Sequence, residues 1–225
     1  MKIKLDTAYG SHEKYDLEIT KVTLDTTNLD EREALENGWL MYDGEWYLSR
    51  SVRVNLANTK RRLPNINGVQ FEVENFDRET FDSIYSEYLY KKNFTKKYDY
   101  TKDFQRSMWL VARDHGVAVA FTKMVRYDGG LESSFTAWNY HKPKMSLGNN
   151  IIYYELEYAR LADVGYLYIG SGYGESNKYK SMVDGFEWWT GESWSTDRKL
   201  YLDLCERDKH VNTLQDLANI MHAKG

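Results

Sequence analysis

The chain is poor in cysteine: Cys205 is its only one. A single thiol excludes an internal disulfide framework and any metal cluster built from cysteines alone, and it suits a reducing compartment. Proline is nearly as scarce, with 2 in 225 residues, and low-complexity stretches are few, which argues against long disordered linkers. Positive charge is not in excess either. Lys and Arg number 30 against 34 Asp and Glu, for a net charge of −4. No global basic field draws nucleic acid, so any RNA contact rests on local basic patches. No apolar run approaches the roughly 20 residues that span a membrane, and Met1-Lys-Ile-Lys-Leu5 lacks the apolar core of a signal segment. These absences predict a soluble, cytoplasmic protein without membrane contact. Also missing are G-x-S-x-G, H-E-x-x-H and a Walker loop. The 5 histidines are scattered and form no ligand set, so no metal site is expected. His115 and His141 fall in turns.

Aromatic residues are abundant, at 15% of the chain with 19 Tyr and 7 Trp. They suit a compact fold with aromatic-lined grooves, or simply an aromatic core. A chain of this length buries a sizeable core as one large domain or two small ones. The first part reads as extended. Lys2–Asp6 and Tyr15–Leu24 alternate, with Gly10-Ser11-His12 between them. Leu29–Glu36 is a short helix, with Asp30 at its start and Asn37-Gly38 at its end. Trp39–Leu48 is a hairpin around Asp43-Gly44, and Ser51–Leu56 alternates Val52, Val54 and Leu56 with Arg53 and Asn55. Phe76–Lys92 places Phe81, Ile84, Tyr85, Tyr88 and Leu89 at helical spacing. Periodicity does not decide Trp109–Arg113. Val117–Val125 is a strand, Tyr127–Gly130 a hairpin turn, and Leu131–Tyr140 the returning strand.

The chain is organised around residues 146–189. Ser146 reads as a helix N-cap. Ile151, Ile152, Tyr154, Leu156, Tyr158, Ala159 and Ala162 give one apolar helix surface. The helix stops near Asp163–Gly165, with glycine as its C-cap. Tyr166–Ile169 is a buried strand. Then come the glycine-rich turn 170–174, a second helix over about 176–183, and a last strand over about 185–189. This order resembles the end of an N-acyltransferase domain of the GNAT type. In the tail, Leu200, Leu204, Leu214, Leu217 and Ile220 suggest one or two short helices, with Cys205 a buried thiol.

Ser146-Leu147-Gly148, the helix ending Glu157-Tyr158-Ala159-Arg160, the strand Tyr166–Gly170 and Tyr179-Lys180 together resemble the C-terminal half of the aminoacyl-tRNA–protein transferases. In the N-terminal part, Asn37-Gly38-Trp39, Val52-Arg53-Val54 and Thr59-Lys60-Arg61-Arg62 resemble the same family, and Tyr85, Tyr88 and Tyr90 look like its Y-x-x-Y helix. Two departures stand out. The family's N-terminal cysteines are absent, and its F/Y-D-P sequence is replaced by Trp138-Asn139-Tyr140, where Asn139 cannot act as a base.

The resemblance implies a mixed α/β, GNAT-like fold with a central, mostly antiparallel sheet flanked by helices. It implies an N-terminal strand and hairpin segment over 1–64, a catalytic domain over 65–195 and a helical tail over 196–225. The implied activity moves an amino acid, arginine or leucine, from charged tRNA to the N-terminal amine of a protein or peptide, with no cofactor beyond that co-substrate. An acyl-CoA-dependent N-acyltransferase and a non-catalytic relative that binds tRNA or a protein N-terminus are the alternatives. Peptide-bond formation from an activated ester needs orientation of the reactants, stabilisation of the oxyanion and one proton acceptor. The expected catalytic residues are Asn139, Glu157 and Lys180, although a helix-surface ion pair with Arg160 accounts for Glu157 equally well. Trp138, Tyr153, Tyr154, Gly170, Ser171, Gly172 and Tyr179 are expected to bind substrate; core packing is the other account of the two adjacent tyrosines. Lys60, Arg61, Arg62, Lys96 and Lys97 are either phosphate contacts for tRNA or solvated loop charges. Glu155 and Glu157 point to different faces of the helix, so at most one of them faces a site.

Overall fold

The computed structural model describes residues 3–12, 15–42, 44–60, 68–94, 98–101, 104–140 and 146–210. Its centre is an 8-stranded sheet in the order β12-β11-β5-β10-β9-β8-β7-β6. These strands are β5 (Ser51–Asn55), β6 (Val69–Glu74), β7 (Ser107–Asp114), β8 (Val117–Tyr127), β9 (Gly130–Trp138), β10 (Tyr166–Ser171), β11 (Phe186–Trp189) and β12 (Trp194–Ser195). A smaller sheet, β1-β2-β4-β3, joins β1 (Ile3–His12), β2 (Tyr15–Leu24), β3 (Trp39–Tyr42) and β4 (Glu45–Leu48). The helices are α1 (Glu31–Glu36), α2 (Arg78–Lys92), α3 (Leu147–Leu161) and α4 (Arg198–Asp208). The fold is the expected mixed α/β class, with a mostly antiparallel sheet flanked by helices. Among the described residues no helix is long and apolar enough to cross a membrane.

One pair of strands breaks the antiparallel pattern. β9 and β10 run parallel, joined by α3 as the crossover. Helix α3 buries Leu147, Ile151, Ile152, Glu155, Leu156 and Ala159, a stripe at helical spacing that packs on the sheet. The helix begins at Ser146, in the left-handed region at φ 48°, and the Ser146 side chain makes no capping hydrogen bond. Its end differs from the expected glycine cap. Asp163 takes the left-handed position at φ 53°, with Asp163 N–H donating to Arg160 O and Val164 N–H to Ala159 O. That is a Schellman motif in which an aspartate replaces glycine.

Strand β5 shows why the sheet holds. It pairs with β10 on one side and β11 on the other, so both its edges are hydrogen-bonded, and Ser51 to Val54 are all buried. Val52 and Val54 face the main apolar core with Leu131, Leu156 and Leu167. Arg53 faces the other way. Its Nε donates to Glu187 Oε2 at 2.7 Å, and its guanidinium lies 3.8 Å from the Tyr166 ring centre and 4.0 Å from that of Trp194. Two aromatic faces and one carboxylate thus satisfy a cation that alternation alone would have placed in solvent. β5 lies N-terminal to the boundary expected near residue 64, yet it is an interior strand of the main sheet.

Other elements differ from expectation in detail. β1 and β2 pair through His12 and Tyr15, so Gly10, Ser11 and His12 belong to the ladder. Trp109–Arg113 is strand, inside β7, and β6 precedes it without a clear alternating signal. The expected second helix is a 3-10 segment, Glu175–Met182. In the tail, α4 carries Tyr201 and Cys205 into the main core; Leu214, Leu217 and Ile220 lie outside the described residues.

Helix α4 also fills the space beside the glycine-rich turn. A Cβ on Gly172 would sit 2.6 Å from Tyr201 Cε2 and 2.8 Å from Val52 Cγ2. Replacing Gly172 by alanine is therefore expected to destabilise the fold by about 2 kcal/mol through overpacking, read as a lower urea midpoint at unchanged slope.

Candidate active site

β9 and β10 stay together only briefly. Leu167 stands opposite Leu131 and Tyr168 opposite Glu132, and the pairing ends there. Each strand carries a bulge at the point of separation. On β9, Phe135 pairs with Lys123 and Ser133 with Met124, leaving Ser134 as the extra residue. On β10, Tyr168 pairs with Arg53 and Ser171 with Ser51, so Ile169 and Gly170 together face Val52. Gly170 has φ +77°, a conformation that favours glycine. Bulges bend the strands that carry them, and here the two open a cleft between β9, β10 and α3.

The cleft has a volume of 470 Å³. Its walls are mixed: Tyr88, Phe94, Phe135, Trp138, Ile152 and Ile169 line it together with Ser133, Thr136, Asn149 and Ser176. At the mouth, the Tyr88 and Trp138 rings meet edge to face at 4.8 Å, with Tyr140 5.7 Å from Trp138. Lys92 Nζ lies 5.4 Å from the Trp138 ring centre. Gly148 lets this platform approach α3, because a Cβ there would lie 2.5 Å from the Trp138 ring. Next to the cleft, a hollow of 230 Å³ is lined by Trp138, Asn139, Tyr140 and the first residues of α3.

Among the described residues, Glu155 is the carboxylate that lines the cleft. Glu155 on α3 is only 2% exposed. Its Oε1 accepts from Thr122 Oγ1 at 2.8 Å and from Thr136 Oγ1 at 3.4 Å; these two threonines stand opposite each other on β8 and β9. Burial raises the pKa of Glu155, opposed by the hydroxyl bonds and by the charge of Lys180. Tyr179 lines the cleft from the 3-10 segment. Its phenol is pushed up to about 12, by burial first and then by the Glu155 carboxylate, so it stays protonated and able to donate.

The structure sorts the expected site residues. Trp138 and Tyr179 line the cleft, and Asn139 lines the adjoining hollow. Glu157 does not reach the cleft. It pairs with Arg160 at 3.2 Å, and Arg160 in turn donates to Thr59 Oγ1 and to the carbonyl of Lys60. The Glu-x-Ala-Arg sequence therefore ties the segment after β5 to α3. Tyr154 stacks on Phe71 of β6, with ring centres 3.5 Å apart, and Tyr153 packs against the main core; neither lines the cleft. Gly170, Ser171 and Gly172 also lie off its lining. The amides and carbonyls of this turn are taken up internally. Gly172 N–H donates to Arg50 O at 2.7 Å, and Gly174 N–H donates to the Asp208 carboxylate at 2.8 Å. Asp208 is also held by Arg50 at 2.8 Å, so a carboxylate of the chain itself occupies the position a phosphate would take. Lys60 is exposed, while Arg61, Arg62, Lys96, Lys97 and His141 lie outside the described residues.

Lys180 departs most from expectation. It is a buried amine, 6% exposed, whose Nζ donates to the carbonyl of Ser171 at 2.6 Å. Burial pulls its pKa down to about 7, against the raising influence of Cys205, Glu132 and Glu155. Glu155 was the residue to find. It lies four residues after Ile151 and four before Ala159, so it is a charged residue within the apolar stripe of α3, and that position was readable in the sequence.

The unfolded chain holds a proton on Lys180 up to about pH 10.4, whereas the folded chain releases it above about 7. Its burial therefore costs most below pH 7, and stability rises with pH between the two values. Lys180→Met removes this dependence. The difference in melting temperature, variant minus native, is expected to be larger at about pH 6 than at about pH 9 when followed by calorimetry.

No family model matches the chain, and no curated protein matches it. Among solved structures it is similar to L-PGS from Bacillus licheniformis, at 15% identity and a TM-score of 0.45, covering 60% of this chain and 52% of that one. It is similar to a C-terminal DUF2156 domain from Agrobacterium fabrum, at 12% identity and a TM-score of 0.47, covering 77% and 67%. It is also similar to a GCN5-related N-acetyltransferase from Kribbella flavida, at 14% identity and a TM-score of 0.43, covering 65% and 55%. The match thus spans about half the length of the first of these, 52%.

Proposed function

We propose that the chain is an acyltransferase that moves an amino acid, arginine or leucine, from charged tRNA to the N-terminal amine of a protein or peptide. The observation that carries this reading is the cleft between the parted strands with Glu155 as its buried carboxylate. Glu155 is held in place by the hydroxyls of Thr122, Thr136 and Ser133. This carboxylate receives the attacking amine and accepts its proton. A carboxyl whose pKa is raised by burial is a better general base near neutral pH than an exposed one.

The rest of the cleft supplies what the reaction needs. The acceptor nitrogen attacks the ester carbonyl, the C–N bond forms, and the C–O bond to the terminal ribose breaks. The proton taken by Glu155 passes to the leaving ribose oxygen. Beyond Glu132 the edge of β9 has no β10 partner, and its backbone N–H groups serve the developing oxyanion. The Tyr88, Trp138 and Tyr140 rings with Lys92 suit a terminal base, which stacks on aromatics while a cation meets its phosphate. The Ser146 side chain makes no capping hydrogen bond at the start of α3, which favours the alternative donor, an acyl-CoA, whose pyrophosphate suits a helix N-terminus.

The test is transfer of label from total charged tRNA, each amino acid labelled in turn, onto peptides of varied N-terminus, with labelled acetyl-CoA in parallel. Label only from charged tRNA supports the reading, and label only from acetyl-CoA replaces it with the alternative. Neither, with salt-dependent tRNA binding, points to a binding protein. Glu155→Gln is expected to lower kcat at least about 100-fold, whereas Glu157→Gln leaves it within a few-fold. Trp138→Ala is expected to raise KM for the charged tRNA by about tenfold or more, as loss of one stacking surface predicts.

A further inference from the structure

Among the described residues Arg53, Lys123 and Lys180 are buried cations, and the chemistry above gives no part to Lys180. Lys180 is carried by the 3-10 segment Glu175–Met182 and reaches back to Ser171. Ser171 is where β10 regains its register with β5 after the bulge at Ile169 and Gly170. The amine thus grips the strand at the far end of the bend that separates β10 from β9. The platform that carries Lys180 is itself fixed. Lys178 pairs with Glu175 at 3.2 Å and with Glu206 of α4, and Tyr201 Oη donates to Asn177 O at 3.1 Å.

The surroundings of the amine are equally specific. Glu155 from α3, Glu132 from β9 and Cys205 from α4 act on it electrostatically. Tyr179, its neighbour in the chain, lies beside Glu155 in the cleft lining. Burying an amine, charged or neutral, costs more than burying an aliphatic side chain of similar length. Space filling alone therefore does not account for a lysine here.

We infer that Lys180 is a positioning residue for the cleft: it ties the Ser171 carbonyl, where β10 regains its register after the bulge that parts it from β9, and its charge acts on Glu155. This inference rests on the acyl-transfer reading of the cleft, in which Glu155 takes the proton. Lys180 touches no reacting atom. It acts through the strand that shapes the cleft and through the carboxylate that serves it.

The test follows the titration of Glu155 by carboxyl ¹³C NMR on protein labelled at glutamate, with Glu155→Gln assigning the resonance. Lys180→Met is expected to move the Glu155 midpoint upward by about one pH unit or more, because a facing cation favours the ionised carboxylate. Lys180→Arg, which keeps charge and donor, is expected to restore most of that shift. An unmoved midpoint in Lys180→Met, or an arginine variant that behaves like the methionine one, overturns the inference. Should Lys180→Met fail to fold, the reciprocal measurement decides. Glu155→Gln must then lower the midpoint of the Lys180 amine, followed by its side-chain ¹⁵N signal, and an unchanged amine midpoint overturns the inference. In the label-transfer assay Lys180→Met is expected to lower kcat while leaving KM for charged tRNA within about twofold, as loss of an effect confined to the chemical step requires. A native chain that transfers no label strikes down the acyl-transfer reading, and the two titrations then decide whether Lys180 acts on Glu155.

Discussion

Two parallel strands that begin as neighbours and part after two residue pairs set the terms for the rest of the molecule. A parallel pair needs a crossover, and α3 supplies it. Two bulges, at Ser134 on β9 and at Ile169–Gly170 on β10, bend the strands away from each other. A split in the middle of a sheet exposes backbone groups that elsewhere satisfy one another. The surrounding parts either compensate for that split or use it.

Compensation comes from three directions. β5 is clamped between β10 and β11 and anchored by the buried Arg53–Glu187 pair, so the sheet stays whole on that side. Helix α4 packs Tyr201 and Cys205 into the main core, and through Asp208 it takes up Arg50 and the amide of Gly174. The Lys180 amine takes up the carbonyl of Ser171. The tail is thus part of the scaffold of the cleft. The glycine-rich turn, which looks like a phosphate cradle in isolation, is already occupied by the chain's own carboxylate and carbonyl partners.

Use of the split is concentrated on one wall. The apolar stripe of α3 turns Ile151, Ile152 and Glu155 toward the sheet, and the paired threonines of β8 and β9 meet the carboxylate there. Burial raises the pKa of this carboxylate, and hydroxyls and a cation oppose the rise. Thr122, Ser133 and Thr136 provide the first and Lys180 the second. The aromatic rings at the mouth come from α2 and β9, and Gly148 lets them close against the start of the helix.

Local pattern was enough for the order of elements. The alternation of Val117–Val125, the helical stripe from Ile151 to Ala159 and the run Tyr166–Ile169 depend on near neighbours, so the sequence by itself determined β8, α3 and β10 and the mixed α/β class. It also held Glu155 in plain view, as a charge within an apolar stripe. Tertiary structure decided which residues meet. Arg53 alternates as a solvent residue yet is buried, because Tyr166, Glu187 and Trp194, more than 100 positions away, converge on it. Contacts likewise settled Glu157 and Lys180, both expected to be catalytic. Helix rotation put Glu157 beside Arg160 at the surface of α3, and the packing of α4 and the 3-10 segment sealed Lys180 inside. Spacing along the chain fixes which face of an element a residue occupies, but only the contacts of the folded chain fix what that face meets.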